Sequence, residues 1–462
     1  MEPKTEITED IYEKISMKKI ILQFAKNTTA HGITQIALAR GRWFKLFWVT
    51  AIIGCQIGIY LQITPLVIQY RKRPVVTKVY QIADAVLTFP VVTVCNINPI
   101  RKTEAEMLFN DTDGGLNASN SLRTGQFFPM KDLWLSSISF KLGNQMLNYG
   151  HLFENFVLDC RWNFFHSCMN SRFWKQFWHW KYGNCFSFNS GYDRNNKAVP
   201  VLTSFETNIN TLLSLELNIG LKDYYLPLAK RAGIILHVGE QDVMKDILSH
   251  SHYLSPGFSH LISMEKTIRK RADPFNNRTC IPHYKTDLGK QPNNDQRILK
   301  KYSRKTCMDL CSYQVMIRKC NCTPYWAPSL NSKRRCHSSD EACVLAVDYD
   351  YMHNNLSCLR ECRFPCEEIN HLLSISSAKF PLNETESSEK NRLEVYFSFK
   401  KPETVVMEDE EYYMIHNLLS DIGGQLGLWS GVSVLTLVEL LVLCAYGTSI
   451  IFQKVFFWIK NE

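Results

Sequence analysis

Two long apolar runs bracket a segment rich in cysteine, and few folds accommodate that order. Leu46 to Ile68 holds no charged residue, and Ile422 to Gln453 holds one, Glu439. Each run exceeds the roughly 20 residues a helix needs to cross a bilayer. No other stretch of the 462 residues approaches this length. The first run starts too far in, and runs too long, to be the core of a cleaved signal peptide. The chain reads as a two-pass membrane protein with a large domain between its passes.

The cysteines orient the chain. Of 16, Cys55 and Cys444 lie in the apolar runs, and the other 14 lie between Cys95 and Cys366. A dense, even set confined to one segment belongs in an oxidising compartment. The sequons agree: Asn110, Asn117, Asn277, Asn355 and Asn383 open N-x-S/T triplets in that segment. Asn321-Cys-Thr is a sixth, set in a Cys-x-Cys turn, and Asn27-Thr-Thr on the other side is expected to stay bare. Both termini are then cytosolic and the protein is a multi-pass component of the plasma membrane. Arg40, Arg42 and Lys45 flank the first run on the cytosolic side, though Arg71, Lys72 and Arg73 flank it outside. The expected divisions are a cytosolic tail at 1–45, a membrane helix at 46–69 and an extracellular domain at 70–419. A second membrane helix at 420–453 and a cytosolic tail at 454–462 complete the chain. The net charge of +9 is spread out, and an extracellular domain excludes nucleic acid as a partner.

Within the domain, Val86 to Cys95 is rich in β-branched residues and reads as a buried strand. Gly233 to Val238 and Leu393 to Phe399 read as two more, and the strands nearest the two membrane helices are expected to share a sheet. Trp162, Phe164, Phe165, Phe173, Trp174, Phe177, Trp178 and Trp180 form an aromatic stretch that reads as core or subunit contact rather than a ligand cage. Cys307 and Cys311 stand one helical turn apart, and Cys358, Cys362 and Cys366 repeat the spacing. That suggests a helical rod over 300–366 stapled by stacked disulfides. Zinc is the rival reading, but it favours a reducing compartment. No metal or cofactor site is expected. No phosphate loop, nucleophile elbow or H-E-x-x-H motif is present, so the chain does not read as an enzyme.

The second apolar run carries the chemistry. Residues 421–433 read Asp-Ile-Gly-Gly-Gln-Leu-Gly-Leu-Trp-Ser-Gly-Val-Ser, and Glu439 follows. Glycines let backbones approach closely, while a buried acid costs about 2.5–3.5 kcal/mol on insertion scales. A plain anchor needs neither, so this segment is read as lining a cation pathway. A two-pass receptor or adhesion subunit without a pore is the competing class. A subunit that conducts only beside homologous partners lies between the two.

These residues, taken in order, resemble the degenerin, epithelial sodium channel and acid-sensing channel superfamily. The match includes His31-Gly32, which read on its own would be a chance dipeptide, and Phe89-Pro-Val-Val-Thr-Val-Cys-Asn96. It continues through Tyr182 to Asn189, Ser255-Pro-Gly-Phe258, the cysteine rod, the Asp421 segment and Leu437-Val-Glu-Leu440. The resemblance implies an α+β membrane protein with a large disulfide-rich extracellular domain, assembled as an acid-sensing-channel-like trimer. It implies a homo- or heterotrimeric, amiloride-blocked, sodium-selective channel in the lipid bilayer. Sodium is the expected permeant ion and calcium a candidate second one. Gly431, Val432 and Ser433 match the family's selectivity filter. Ser420, Asp421, Gly424, Leu428 and Glu439 fall at pore and gate positions, with Asp421 and Glu439 expected to draw cations. His31 and Gly32 match its gating dipeptide. The family's pairing, carried over in order, joins Cys95–Cys185, Cys160–Cys168, Cys280–Cys366, Cys307–Cys362, Cys311–Cys358, Cys320–Cys343 and Cys322–Cys336. Val75 stands where proton-gated members carry histidine, Arg73 stands where an aromatic is expected, and Phe275 is the nearest aromatic before Cys280. An extracellular peptide is therefore favoured as the activating ligand, as in the cnidarian peptide-gated channels, over protons or mechanical force.

Overall fold

The computed structural model describes residues 17–83, 86–110, 134–135, 138–139, 142–204, 212–243, 247–248, 250–273, 280–281, 301–324, 336, 340–380 and 391–461. Sequon positions Asn117, Asn277 and Asn383, and Phe275, lie outside the described residues. The chain forms two compact units: Met1–Val76 with Glu410–Glu462, and Thr77–Asp409.

The first unit is helical. Helices Met17–Asn27 and Ile33–Leu38 precede the first membrane helix, Arg42–Lys72. At 1.5 Å per residue its 31 residues extend about 46 Å. Ile59 is its one fully buried residue among those described, and much of its apolar surface is left for lipid. The second apolar run departs from the single helix expected over 420–453. It forms an outer helix, Ile415–Ser430, and an inner helix, Val434–Asn461, with residues 431–433 in neither.

The second unit is built on two sheets. The larger runs β15 (Glu367–Lys379), β12 (Phe258–Lys270), β16 (Arg392–Glu411), β9 (Leu213–Asn218), β4 (Val157–Trp162) and β5 (His166–Ser167), with β1 (Val75–Ala83) also paired to β16. The smaller runs β11 (Ser251–Leu254), β10 (Ile234–Gly239), β3 (Val91–Asn96), β7 (Gly183–Phe188) and β6 (Trp174–His179). Two short pairs complete it: β13 (Cys280–Ile281) with β14 (Phe364–Pro365), and β2 (Leu87–Thr88) with β8 (Thr203–Ser204). The stretch from Val86 to Cys95 is thus two strands. Pro90 lacks the amide that a continuing ladder needs, and the chain breaks there. β3 lies in the smaller sheet, so it does not share one with β16. The strand following the first membrane helix that does is β1. Its nine residues are all exposed, which leaves no apolar alternation to mark it.

Both inner faces supply the main core, where Phe89, Trp162, Trp174, Phe186, Phe188 and Phe397 are buried together. Phe89 meets the Trp162, Phe188 and Phe397 rings edge-on. Phe164 and Phe165, from the same aromatic stretch, stand outside this core.

The 14 extracellular cysteines form the seven bonds that the resemblance implies: Cys95–Cys185, Cys160–Cys168, Cys280–Cys366, Cys307–Cys362, Cys311–Cys358, Cys320–Cys343 and Cys322–Cys336. Cys307 and Cys311 ride on the helix Arg304–Cys320. Their partners, Cys362 and Cys358, sit on a single short helical turn. Cys358 opens a four-residue helix, Cys358–Glu361, and Cys362 caps its end. The four-residue spacing is helical at Cys307/Cys311 and at Cys358/Cys362, while Cys366 follows β14 and pairs with Cys280.

Candidate functional site

The joint at residues 431–433 is written into the backbone by two caps. Gly431 has φ 64°, the left-handed conformation that ends helices and that glycine adopts without strain. Its amide donates to the Gly427 carbonyl at 3.0 Å, and that of Val432 donates to Leu426 at 3.3 Å. The inner helix then starts on a reciprocal cap. Ser433 Oγ accepts the Thr436 amide at 3.3 Å, and Thr436 Oγ1 accepts the Ser433 amide at 3.1 Å. Gly-x-Ser is therefore a helix stop followed by a helix start, and it interrupts the ladder in mid-run. Irregular backbone at membrane depth is tolerated only where protein buries it or a wet cavity borders it.

A loop preceding the first membrane helix covers one side of this joint. The His31 amide donates to the Ser430 carbonyl at 3.0 Å. Its imidazole lies so close that a Cβ added to Gly431 would stand 1.8 Å from His31 Nδ1. Gly32 turns the loop with φ 85°. Glu439, one turn further along the inner helix, is held by the same loop. One of its carboxylate oxygens, Oε2, accepts the Thr28 hydroxyl at 3.1 Å and the Thr29 amide at 3.2 Å. Thr29 Oγ1 shares a 2.6 Å hydrogen bond with Thr436 Oγ1. An acid that lipid would penalise thus has neutral donors arranged around it.

On the outer helix, Ser420, Gly424 and Leu428 recur every fourth residue and share one face. Leu428 is largely exposed, and a Cβ at Gly423, Gly424 or Gly427 would meet nothing. Among the described residues, that face is open. Asp421 begins the next turn, and the Tyr413 hydroxyl donates to its Oδ2 at 2.5 Å. Loss of water contact, with that bond and the nearby carboxylate charge, pushes the Tyr413 phenol up to about 12, so it stays a donor at any physiological pH. Trp429 turns the other way. Its ring packs over Gly58 of the first membrane helix, where a Cβ would lie 3.1 Å from it. Its Nε1 donates to Gln62 Oε1 at 2.9 Å.

The structure therefore brings His31 and Gly32 to Gly431, and leaves Asp421 and Glu439 on different helices with different partners. Thr28, Thr29, Thr436 and Trp429 escaped the reading of the sequence. Thr436 had a signal, because Gly followed by Ser-x-x-Thr is a stop and start pair. Thr28 and Thr29 had none, being more than 400 residues from their partner. Of the sequons, Asn355 is exposed after the helix Glu341–Met352, and Asn110 closes the helix Lys102–Asn110. All cysteines of the rod are engaged in disulfides, so none is a metal ligand.

A broken second membrane helix, a loop hydrogen-bonded at its break and a disulfide-laced α/β unit are now in place. A model described as amiloride-sensitive sodium channel matches residues 24–443. The chain belongs to the amiloride-sensitive sodium channel family. It is 26% identical to acid-sensing ion channel 1C of Danio rerio, over 92% of this chain and 83% of that one. It is 24% identical to the FMRFamide-activated amiloride-sensitive sodium channel of Cornu aspersum, over 94% and 84%. It is 25% identical to the epithelial sodium channel subunit alpha of Homo sapiens, over 92% and 77%. The architecture of two apolar helices and a mixed α/β, disulfide-rich domain is that of this sodium channel family. Its members are membrane-integral ion channels, not enzymes, and assemble from homologous subunits.

Proposed function

We propose that this sodium channel family member is a subunit of a trimeric, amiloride-blocked, sodium-selective channel of the plasma membrane, opened by an extracellular peptide. The observation that carries this reading is the joint at 431–433. Three copies around an axis would place Gly431 carbonyls and Ser433 hydroxyls where they replace part of an ion's water shell. The glycine-lined face of the outer helix lets copies approach closely. Asp421 at the outer end supplies negative potential for cations. Glu439 serves as a clasp for the loop at 28–32 rather than as a bare ring of charge. The Cornu aspersum relative, activated by FMRFamide, supports a peptide as ligand. Val75, in place of a histidine, weighs against protons. The test is two-electrode recording with candidate amidated peptides, acid and amiloride, alone and with co-expressed homologues. A peptide-evoked, amiloride-blocked sodium current is expected. Gly431→Cys and Ser433→Ala should change the sodium-to-potassium permeability ratio and the unitary current. Unaltered values in assembled channels would remove the filter assignment.

A further inference from the structure

The hairpin of β4 and β5 ends in a loop that an isolated chain has no reason to keep. Trp162 pairs with His166, so the loop is Asn163, Phe164 and Phe165. Asn163 has φ 48° and Phe164 has φ 67°. Asparagine tolerates that region, whereas a bulky residue there is a genuine outlier. The neighbours hold it in place. Asn163 donates its amide to Leu212 at 2.8 Å, and the Cys160–Cys168 bond ties the two strands just behind the loop. Buried Trp162 fixes the incoming strand against Phe89. The result is a rigid knob on which Phe164 is 59% and Phe165 86% exposed, with ring centroids 5.7 Å apart. Strain kept at a site, with large apolar surface left in water, points to a partner.

The same unit carries a second apolar surface of suitable size. On the helix Glu341–Met352, Leu345, Tyr349 and Met352 are exposed at spacings of four and three, which is one face. The opposite side is anchored by buried Val344 and Val347 and by the Cys320–Cys343 bond. His353 stacks on Tyr349 at 3.9 Å and sets the orientation of its ring. Methionine and tyrosine suit a phenylalanine partner, through sulfur–aromatic and edge-on ring contacts.

We infer that Phe164 and Phe165 of one copy of this chain seat against Leu345, Tyr349 and Met352 of a second copy. The inference rests on the multi-subunit reading, and the family's assembly from homologous subunits supplies the neighbour. Two different patches on one chain make a heterologous contact, which closes into a ring when the rotation allows. That is the symmetry an axial pore needs.

The test uses the full chain in two epitope-tagged forms, Phe165→Cys in one and Met352→Cys in the other. Both are co-expressed and treated in membranes with a short, membrane-impermeant bismaleimide. A product carrying both tags is expected. It should be absent when Leu226→Cys, at another exposed apolar position, replaces Phe165→Cys. Tagged chains that co-purify yet never cross-link would overturn the inference alone. Unsubstituted chains that fail to co-purify would overturn the multi-subunit reading with it. A second variant keeps the hairpin sound. Phe164→Gly with Phe165→Ser suits the left-handed backbone at 164, so its disulfide map should match the parent chain. Its share of detergent-stable oligomer should drop several-fold. An unchanged share, with the disulfide map intact, would also overturn the inference.

Discussion

A methyl group at position 431 has nowhere to go. The backbone there is left-handed, and the added carbon would overlap His31 Nδ1 at 1.8 Å. Gly431→Ala should therefore expel the His31 loop or unwind the joint, and the sodium-to-potassium permeability ratio should fall. Pairing it with His31→Gly removes the clash but not the backbone strain, so partial recovery of the ratio is expected. Strictly additive losses would mean that the two residues do not act on each other. His151 offers a second test at this scale. It is 6% exposed, and Asn98 Nδ2 lies 3.1 Å from its Nε2. Burial, helped by the Arg101 charge, pushes its pKa down to about 4 from the usual 6.5. The unfolded chain thus takes up a proton below about 6.5, which the folded chain refuses until about 4. The contribution of the neutral imidazole to stability is full above the upper value and is lost as pH falls through that window. His151→Gln, which cannot titrate, should flatten the acid limb of the unfolding midpoint against pH. An unchanged limb would place the proton uptake elsewhere.

Among the elements, the outer helix and the cysteine rod make separable predictions. Ser420 shares its face with Gly424, and none of the described residues covers that face. If copies close around it, a bulky side chain is overpacked in the closed state. Overpacking typically costs about 1–3 kcal/mol, enough to shift a closed-biased equilibrium by roughly tenfold to a hundredfold. Ser420→Phe, with surface expression confirmed, should give agonist-independent current blocked by amiloride. Normal closure would move the gate. The Cys311–Cys358 bond closes a separation of 47 residues. Its loss should cost about 4 kcal/mol on loop-entropy grounds, and Cys311→Ser should sharply reduce surface delivery, as measured by biotinylation. On the larger sheet, Thr77 Oγ1 donates to Asp409 and the Tyr80 hydroxyl to Glu408, each at 2.6 Å. Thr77→Val with Tyr80→Phe should speed amide exchange across Val75–Ala83. Much of this was legible beforehand. The apolar runs, the oxidised middle and the strands at Gly233 and Leu393 follow from period and composition. The broken helix was readable in principle, from a glycine stop and a Ser-x-x-Thr start, but uninterrupted apolarity masked it. β1 was not readable, because a fully exposed strand has no buried face to impose a pattern. Disulfide connectivity came with the resemblance alone, since spacing admits many pairings.

For the whole molecule, the chain is a member of a sodium channel family whose two units are a membrane-spanning set of helices and an oxidised α/β body. The clasp around Glu439 binds the first of these units at both ends of its sequence. Glu439→Ala and Thr28→Val should each lower the number of functional channels at the surface. Combined, they should do little more than either alone, because they open the same clasp; full additivity would separate them. The clasp also sets an order of events during synthesis. Thr28 leaves the ribosome 411 residues before the acid it serves. Throughout the making, oxidation and folding of the large middle body, the loop at 28–32 has no carboxylate to hold. The inner helix, made after that body, enters the bilayer with an acid whose donors were made long before it. Maturation of the membrane part therefore waits on translation past residue 439, and any truncation before it leaves the loop at 28–32 without its anchor.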